Sequence, residues 1–309
     1  EKIQELKDRI ASVIVGQEQT VDLVLTAILA NGHVLIEGVP GVAKTLLARL
    51  TARLIDADFS RVQFTPDLMP SDVLGTTVFN MKTNGFDFHQ GPVFADIVLV
   101  DEINRAPAKT QAALFEVMEE RQISIDGTTH RMGDLYTILA TQNPVEQEGT
   151  YKLPEAQLDR FLMKITMDYP SLEEEVNILE RHHTNAALVK LDDITPAITK
   201  EELLSLRAFM NQVFVDRTLL QYIALIVQQT RTSKAVYLGA SPRASVAMLQ
   251  SSKAYALLQG RDFVTPEDIK FVAPYVLQHR LILTAEAEME GYSPVKVTQR
   301  LIDKVEVPK

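Results

Sequence analysis

Residues 38–45 have the types and the spacing of a loop that binds phosphate. They read Gly-Val-Pro-Gly-Val-Ala-Lys-Thr, directly after a short apolar run. Gly38 and Gly41 allow the backbone to wrap closely around an anion, so that N–H groups and the positive end of the next helix point at it. Lys44 supplies a cation for the β- and γ-phosphates, and Thr45 supplies a hydroxyl ligand for Mg²⁺. The stretch therefore predicts a site for a nucleotide and its magnesium ion.

Position 43 departs from the usual pattern of such loops, because the Gly expected before the Lys is Ala43. A methyl group costs little at this position if the residue already has helical φ and ψ. On this stretch alone, an ordinary strand–turn–helix corner without a ligand stays open as the alternative.

Polar side chains follow two further apolar runs at the point where each run ends. Residues 97–100 lead directly into Asp101 and Glu102, and residues 136–140 are followed shortly by Asn143. The carboxyl edge of an open α/β sheet is where such folds bind ligands, so we expect these groups to meet there. Asp101 would hold Mg²⁺ through its water shell, and Glu102 would accept a proton from an attacking water. The amide of Asn143 could hold the same water in line.

Two arginines are candidates for stabilising the charge that develops when a phosphoryl group is transferred. Arg160 precedes the last predicted strand, and Arg243 stands in the first turn of a helix that begins at Ser241-Pro242. Either could contact the γ-phosphate. An ordinary surface ion pair of Arg160 with a neighbouring carboxylate is the alternative.

The elements that must position these residues alternate as in an α/β fold. Two hairpins, near 75–90 and 123–132, interrupt the alternation, the first with an Asn-Gly pair and the second with an Asp-Gly pair in its turn. After a helix that ends near His183 the strand signal disappears, which predicts an α/β core over 1–186 and an all-helical lid over 187–309. The sheet is predicted to contain strands at 34–36, 62–65, 97–100, 136–140 and 162–167.

The bulk composition limits the class of protein. The chain has 309 residues, a formal net charge of −10 and no Cys, so disulfides and thiolate metal sites are excluded. The apolar stretches are too short and too interrupted for a membrane span, and the acidic balance argues against a broad grip on nucleic acid. A reducing, cytoplasmic location is the expectation.

Taken together, these motifs resemble those of the AAA+ ATPases and, within them, the MoxR family. The resemblance extends from about residue 34 to residue 243 and includes Ala43, which looks like the form usual in MoxR loops. The segments that carry it are Gly38 to Thr45, Val98 to Pro107 (Val-Leu-Val-Asp-Glu-Ile-Asn-Arg-Ala-Pro), Ala140 to Pro144, Pro154 to Phe161 and Ala240 to Arg243.

The resemblance implies a role for each candidate residue. Asp101 and Glu102 would be the Walker B pair, Asn143 sensor 1, Arg160 a finger inserted into the neighbouring subunit's site, and Arg243 sensor 2. The hairpins look like the helix-2 insert and the pre-sensor-1 hairpin. The nucleotide contacts expected on this basis are Val15 and Gly16 near the adenine, and Gly38, Val39, Pro40, Gly41, Val42, Ala43, Lys44, Thr45 and Leu46 in the phosphate loop.

The resemblance also implies ATP and Mg²⁺ as cofactors, a helical lid and assembly into a ring, commonly a hexamer. The expected activity is hydrolysis of ATP coupled to chaperone-like remodelling, maturation or activation of a protein partner, often one with a von Willebrand factor A domain. Two alternatives stay open: a nucleic-acid motor or magnesium-chelatase-type subunit, and a scaffold that binds nucleotide without hydrolysing it.

Overall fold

The computed structural model describes residues 2–39, 41–143, 149–184 and 191–308. The chain divides into two compact units: the first comprises residues 1–21, 33–153 and 166–204, and the second comprises residues 22–32, 154–165 and 205–309. The domain boundary predicted near residue 186 lies outside the described residues.

A five-stranded parallel sheet organises the α/β part of the chain, as predicted. Its strands are β1 (Val34–Gly38), β2 (Phe59–Gln63), β5 (Ile97–Asp101), β8 (Thr137–Gln142) and β9 (Met163–Met167). They lie in the order β2-β5-β8-β1-β9, which places the strand before the phosphate loop inside the sheet. All five residues of β5 are buried, since helices cover both faces of such a sheet.

The strands between these belong to two antiparallel hairpins. The first consists of β3 (Gly75–Asn80) and β4 (Gly85–Gln90), and the second of β6 (Gln122–Ile125) and β7 (Thr128–Arg131). In the second hairpin the two turn residues, Asp126 and Gly127, have φ values of +50° and +79°. Positive φ at both positions is the geometry that joins twisted strands through a two-residue turn.

Helices of the first unit bury apolar residues at helical spacing. Leu47, Leu50 and Leu54 of α3 are almost inaccessible to solvent, and so are Leu114, Phe115 and Met118 of α5. Counted along the chain and not by unit, the helices up to α8 are α1 (Lys2–Val13), α2 (Glu18–Leu29), α3 (Lys44–Leu54), α4 (Pro70–Leu74), α5 (Ala108–Glu120), α6 (Glu155–Leu158), α7 (Leu172–His183) and α8 (Lys200–Phe209).

The C-terminal region is helical, as predicted, and contains α9 (Arg217–Thr232), α10 (Pro242–Leu258), α11 (Pro266–Leu277), α12 (Ala285–Met289) and α13 (Pro294–Asp303). It also contains a small antiparallel ribbon of β10 (Val236–Leu238) and β11 (Ile282–Leu283) that no sequence pattern indicated. Strands this short contain no measurable alternation. In the described part of the chain, no helix is both long and apolar enough to cross a membrane.

The start of α3 differs from expectation. Ala43, the residue before the helix, has φ +59° and ψ +23°, so it is left-handed and not helical. The idea that a methyl group costs little because position 43 is helical is therefore wrong. A left-handed conformation brings Cβ close to the following carbonyl oxygen and costs a non-glycine residue about 1–2 kcal/mol.

His33 joins three elements of the first unit. Its Nδ1 accepts a hydrogen bond from the Ile138 N–H of β8 at 2.9 Å, so its Nε2–H donates to the Met118 carbonyl of α5 at 3.1 Å. The bond accepted by Nδ1 requires the neutral ring, because a protonated Nδ1 cannot accept. Burial, helped by the positive charge of Arg121, lowers the pKa of His33 from 6.5 to about 3.

We predict that His33 makes the first unit less stable in mild acid. Between about pH 6.5 and pH 3 the unfolded chain binds a proton that the folded chain excludes, so lowering the pH reduces the free energy of unfolding by up to about 1.4 kcal/mol per pH unit. His33→Gln keeps a donor and an acceptor but does not titrate, and its slope should be smaller when denaturant unfolding is followed from pH 7 to pH 5. The same slope in wild type and variant would contradict this prediction. His182→Gln, at an exposed position of α7, is the control.

Ala43→Gly should stabilise the folded protein, whereas an Ala→Gly substitution within a helix destabilises it. Glycine relieves the left-handed strain but gains freedom in the unfolded chain, so a net stabilisation of up to about 1 kcal/mol is expected. Ala112→Gly, on the exposed side of α5, should destabilise by about 1 kcal/mol. Denaturant unfolding of both variants without nucleotide measures the difference, and equal losses would show that the loop conformation costs nothing.

Candidate functional site

The phosphate loop connects β1 to α3 at the carboxyl edge of the sheet. Gly38 lies against β9, where a Cβ would stand 2.7 Å from the Met167 carbonyl oxygen, so only glycine fits. Gly41 has φ +88° and open space around its Cα. No side chain among the described residues caps the start of α3. The first N–H groups of this helix are therefore free to bind an anion, which the helix dipole also favours.

Lys44 folds back over this loop. Its Nζ donates a hydrogen bond to the Gly38 carbonyl oxygen at 2.7 Å. Burial lowers the pKa of Lys44, whereas the nearby carboxylates of Asp101 and Glu102 raise it. The ammonium group thus lies between the loop and the acids, and an anion bound in the loop would replace the Gly38 carbonyl as its partner.

The two carboxylates end β5 in different environments. Asp101 is the last residue of the strand and is buried, whereas Glu102 turns away with φ +55° and ψ +51°. Thr141 of β8 orients both residues: its Oγ1 donates to Asp101 Oδ1 at 3.2 Å and accepts from the Glu102 N–H at 3.0 Å. A left-handed glutamate costs free energy, and residues in such conformations cluster at functional sites.

Strand β2 supplies partners that the sequence patterns did not reveal. Arg61 Nε donates to Asp101 Oδ2 at 2.6 Å, and Gln63 Nε2 donates to Glu102 Oε2 at 2.8 Å. Arg105 forms an ion pair with Glu102, at 3.0 Å between Nε and Oε2. The available signal was the spacing of Arg61 and Gln63, since residues two apart in a strand face the same side. The predicted strand at 62–65 was placed too late to include Arg61.

One cavity is lined by half of the predicted site residues. Its volume is about 450 Å³, within the usual range for ligand sites. From the phosphate loop and α3 it is lined by Gly41, Ala43, Lys44, Thr45 and Leu46, and from the neighbouring strands and their ends by Arg61, Gln63, Asp101, Glu102, Thr141 and Asn143.

The donors in this cavity fit a magnesium nucleotide. The hydroxyl of Thr45 and the carboxylate of Asp101 are oxygen ligands, which Mg²⁺ prefers. In the described part of the chain no cluster of three or more His, Cys, Asp or Glu could hold a metal ion by itself. Proteins usually hold Mg²⁺ with one or two carboxylates and complete its coordination with substrate phosphates and water.

Other residues predicted to bind nucleotide lie outside the described lining of this cavity. Val42 is buried and Val39 is half-buried within the loop, and Pro40 lies outside the described residues. Val15 and Gly16 lie between α1 and α2, where a Cβ on Gly16 would stand 2.3 Å from the Glu174 side chain. The contacts of these residues with nucleotide stay predictions.

The two candidate arginines belong to the second unit. Arg160 lies between α6 and β9, and Arg243 lies in the first turn of α10. Arg243 Nη1 is 4.0 Å from Oδ2 of Asp159, which directly precedes Arg160 in the chain. The carboxylate of Asp159 is therefore within ion-pair distance of Arg243. Their roles toward phosphate stay predictions.

Comparisons with known proteins agree with this arrangement. The model of the ATPase family associated with various cellular activities (AAA) matches residues 33–163, and that of the AAA lid domain matches residues 228–303. Chaperone MoxR1 of Mycobacterium tuberculosis is 45% identical over 306 residues, covering 96% of this chain and 80% of that protein. The Bacillus subtilis protein YeaC is 47% identical over 301 residues, covering 97% of this chain and 93% of its own length.

A crystal structure from Cytophaga hutchinsonii, described there as a candidate ATPase, superposes with a TM-score of 0.91 at 42% identity. The match covers all of this chain and 95% of that one. Identity at this level over nearly the whole length, together with the two family matches, establishes the relationship. The chain belongs to the MoxR family of AAA+ ATPases.

Proposed function

We propose that this protein hydrolyses ATP with Mg²⁺ in a ring of identical subunits and uses the cycle to remodel a protein partner. The observation that carries the proposal is that the start of α3, Lys44, the oxygen atoms of Thr45 and Asp101, and the carboxylate of Glu102 line one cavity. Each is a part that phosphoryl transfer to water requires.

The phosphate loop and Lys44 would bind the nucleotide. The N–H groups at the start of α3 would cradle the β- and γ-phosphates, with Lys44 leaving the Gly38 carbonyl to pair with them. Thr45 and Asp101 would hold Mg²⁺, which when bound neutralises charge on the phosphate oxygens. Arg61 pairs with Asp101, so its guanidinium must share that carboxylate with the ion or its water.

Glu102 and Asn143 would carry out the hydrolysis step. Glu102 would take a proton from the attacking water as ATP and water become ADP and phosphate, and Asn143 would orient that water. Gln63 and Arg105 both contact Oε2 of Glu102, and these two contacts would hold the carboxylate in a fixed orientation for this step.

Ring assembly is supported by the family and by the chemistry of Arg160. A finger that acts in the neighbouring subunit needs a head-to-tail interface, and such an interface generates a ring when its rotation closes. Arg243, on α10, would contact the γ-phosphate within its own subunit, so that loss of phosphate changes what the lid contacts.

A protein partner is supported by the exposed tip of the first hairpin. Met81 and Phe86 are 88% and 74% exposed, and Phe86 packs edge-on against the half-exposed ring of Phe79 at 5.3 Å between centroids. Projecting apolar side chains of this kind are typical of protein contacts. MoxR1 is named a chaperone, which agrees with this reading. The von Willebrand factor A partner and the cytoplasmic location stay predictions from the sequence.

The acidic net charge of −10 favours this reading over a nucleic-acid motor. Stimulation of ATP hydrolysis by DNA would reverse that preference. The scaffold alternative is disfavoured because the residues proposed as base, metal ligands and sensor (Glu102, Thr45, Asp101 and Asn143) all line the cavity.

Glu102→Gln should abolish turnover and leave nucleotide binding intact. The amide is nearly the same size but cannot accept a proton, so kcat should fall by about 10²- to 10⁴-fold while the Kd for ATP changes by less than about twofold. Phosphate release and titration of a fluorescent ATP analogue measure the two quantities. Glu116→Gln, which removes an exposed charge from α5, is the matched control and should behave as wild type. Full turnover of Glu102→Gln would refute the assignment of the base.

Arg160→Ala should be repaired by mixing with Lys44→Ala. The first variant retains a complete phosphate loop and the second retains the finger, so random mixing in equal amounts should make about one quarter of the junctions competent. Activity of the mixture is compared with that of each variant alone, with particle mass followed in parallel. Arg217→Ala, at an exposed position of the second unit, should be fully active alone. Rings that form but gain no activity on mixing would exclude a finger acting in trans.

A further inference from the structure

A buried arginine of the second unit holds the turn that contains Arg160. Arg280 lies three residues after the end of α11, and only 4% of its side chain is exposed. Removing a guanidinium from water costs several kcal/mol unless its donors are paired. The partners of Arg280 therefore identify the segment that this residue organises.

Those partners concentrate on the residues around Arg160. Arg280 Nε donates to the carboxylate of Asp159 at 2.6 Å. Its Nη2 donates to the carbonyl oxygens of Asp159 at 3.2 Å and Phe161 at 2.8 Å, which are the carbonyls immediately before and after Arg160. Nη1 donates to the carbonyls of Leu162 and Val276. Each of the five N–H donors has an acceptor.

The two residues before Arg280 hold the same segment. His279 Nε2 lies 3.0 Å from the Phe161 carbonyl oxygen, and Gln278 Nε2 donates to the carbonyl of Lys164. Burial lowers the pKa of His279, which keeps the ring neutral. We call Gln278, His279 and Arg280 the clasp. The clasp fixes the backbone from 159 to 164 to the end of α11.

Only arginine can make this set of contacts. Lysine has three donors on one nitrogen, whereas the guanidinium presents five in a rigid plane. Because the acceptors lie on both sides of Arg160, losing the fork would free the peptide groups that set the direction of its side chain. A displacement of about 1 Å at a group that contacts the transition state costs roughly 10²-fold in rate.

We propose that Arg280 is a positioning residue for Arg160: it holds the finger turn in the conformation from which Arg160 reaches the neighbouring subunit's nucleotide. The proposal rests on the trans-acting role of Arg160 proposed above. The proposal can be distinguished from a general loss of structure. A subunit whose clasp is disrupted should fail to supply Arg160 to its neighbour, while its own phosphate loop still works.

Arg280→Lys is the first test. The variant alone should lose about 10- to 100-fold in kcat, with the KM for ATP changed by less than about twofold. Mixed with Lys44→Ala, whose finger is intact, it should regain activity as Arg160→Ala does. Mixed with Arg160→Ala, it should gain nothing, because neither subunit then supplies a positioned finger.

Two further variants guard against a general loss of structure. Asp159→Asn removes the ion pair but leaves the backbone acceptors, and it should show the same pattern of recovery in a milder form. Arg261→Lys disrupts another arginine–aspartate pair of the same unit, to the buried Asp268, and should leave kcat near wild type. Ring mass and thermal unfolding are measured for every variant.

Each outcome separates the two proposals. If Arg160→Ala recovers with Lys44→Ala but neither Arg280→Lys nor Asp159→Asn does, Arg280 serves its own subunit and the positioning role is wrong. Wild-type kcat in Arg280→Lys would overturn it equally. If Arg160→Ala itself fails to recover in assembled rings, the trans-acting finger is wrong and the role of Arg280 falls with it.

Discussion

The start of α3, whose backbone N–H groups no described side chain caps, is the constraint on which the site depends. Such groups must be satisfied by water or by a ligand, and the dipole makes that ligand an anion. The sheet determines where this happens: β1 lies between β8 and β9, so the loop opens at the edge where β5 and β8 also end. The acids and the amide line the same cavity as the loop because parallel strands bring their carboxyl ends to one edge.

Around that point the protein concentrates both strain and charge. Ala43 and Glu102 both line the cavity and both have positive φ, which non-glycine residues rarely adopt. Such conformations persist only where the surroundings enforce them. The enforcement is visible at Glu102, whose N–H bonds Thr141 and whose carboxylate bonds Gln63. The acids are therefore held in place before any nucleotide arrives, which is the preorganisation that electrostatic catalysis needs.

Much of this could be predicted because it is local in sequence. The apolar run that ends in two carboxylates predicted β5 and its acids, and an Asp-Gly pair predicted the second hairpin. Arg61 and Gln63 were missed because their partners lie about 40 residues away on the neighbouring strand, and no local pattern encodes that register. The prediction of a helical conformation for Ala43 was wrong for a related reason. The path of the loop is set by what surrounds it, and residue type is only a weak guide to φ.

The second unit combines a rigid ion pair and a weak one on a single carboxylate. Asp159 pairs with buried Arg280 at 2.6 Å and with Arg243 at 4.0 Å, whose side chain is 68% exposed. The first pair is expensive to break because a buried charge would be left unpaired. The second, at the limit of ion-pair distance and open to solvent, contributes about 0–1 kcal/mol. The Arg243 pair therefore contributes little to holding Asp159 in place, whereas the turn that contains Arg160 is fixed by the clasp. In the proposed mechanism, Asp159 thus anchors the turn of the finger residue and meets the sensor residue on the same carboxylate.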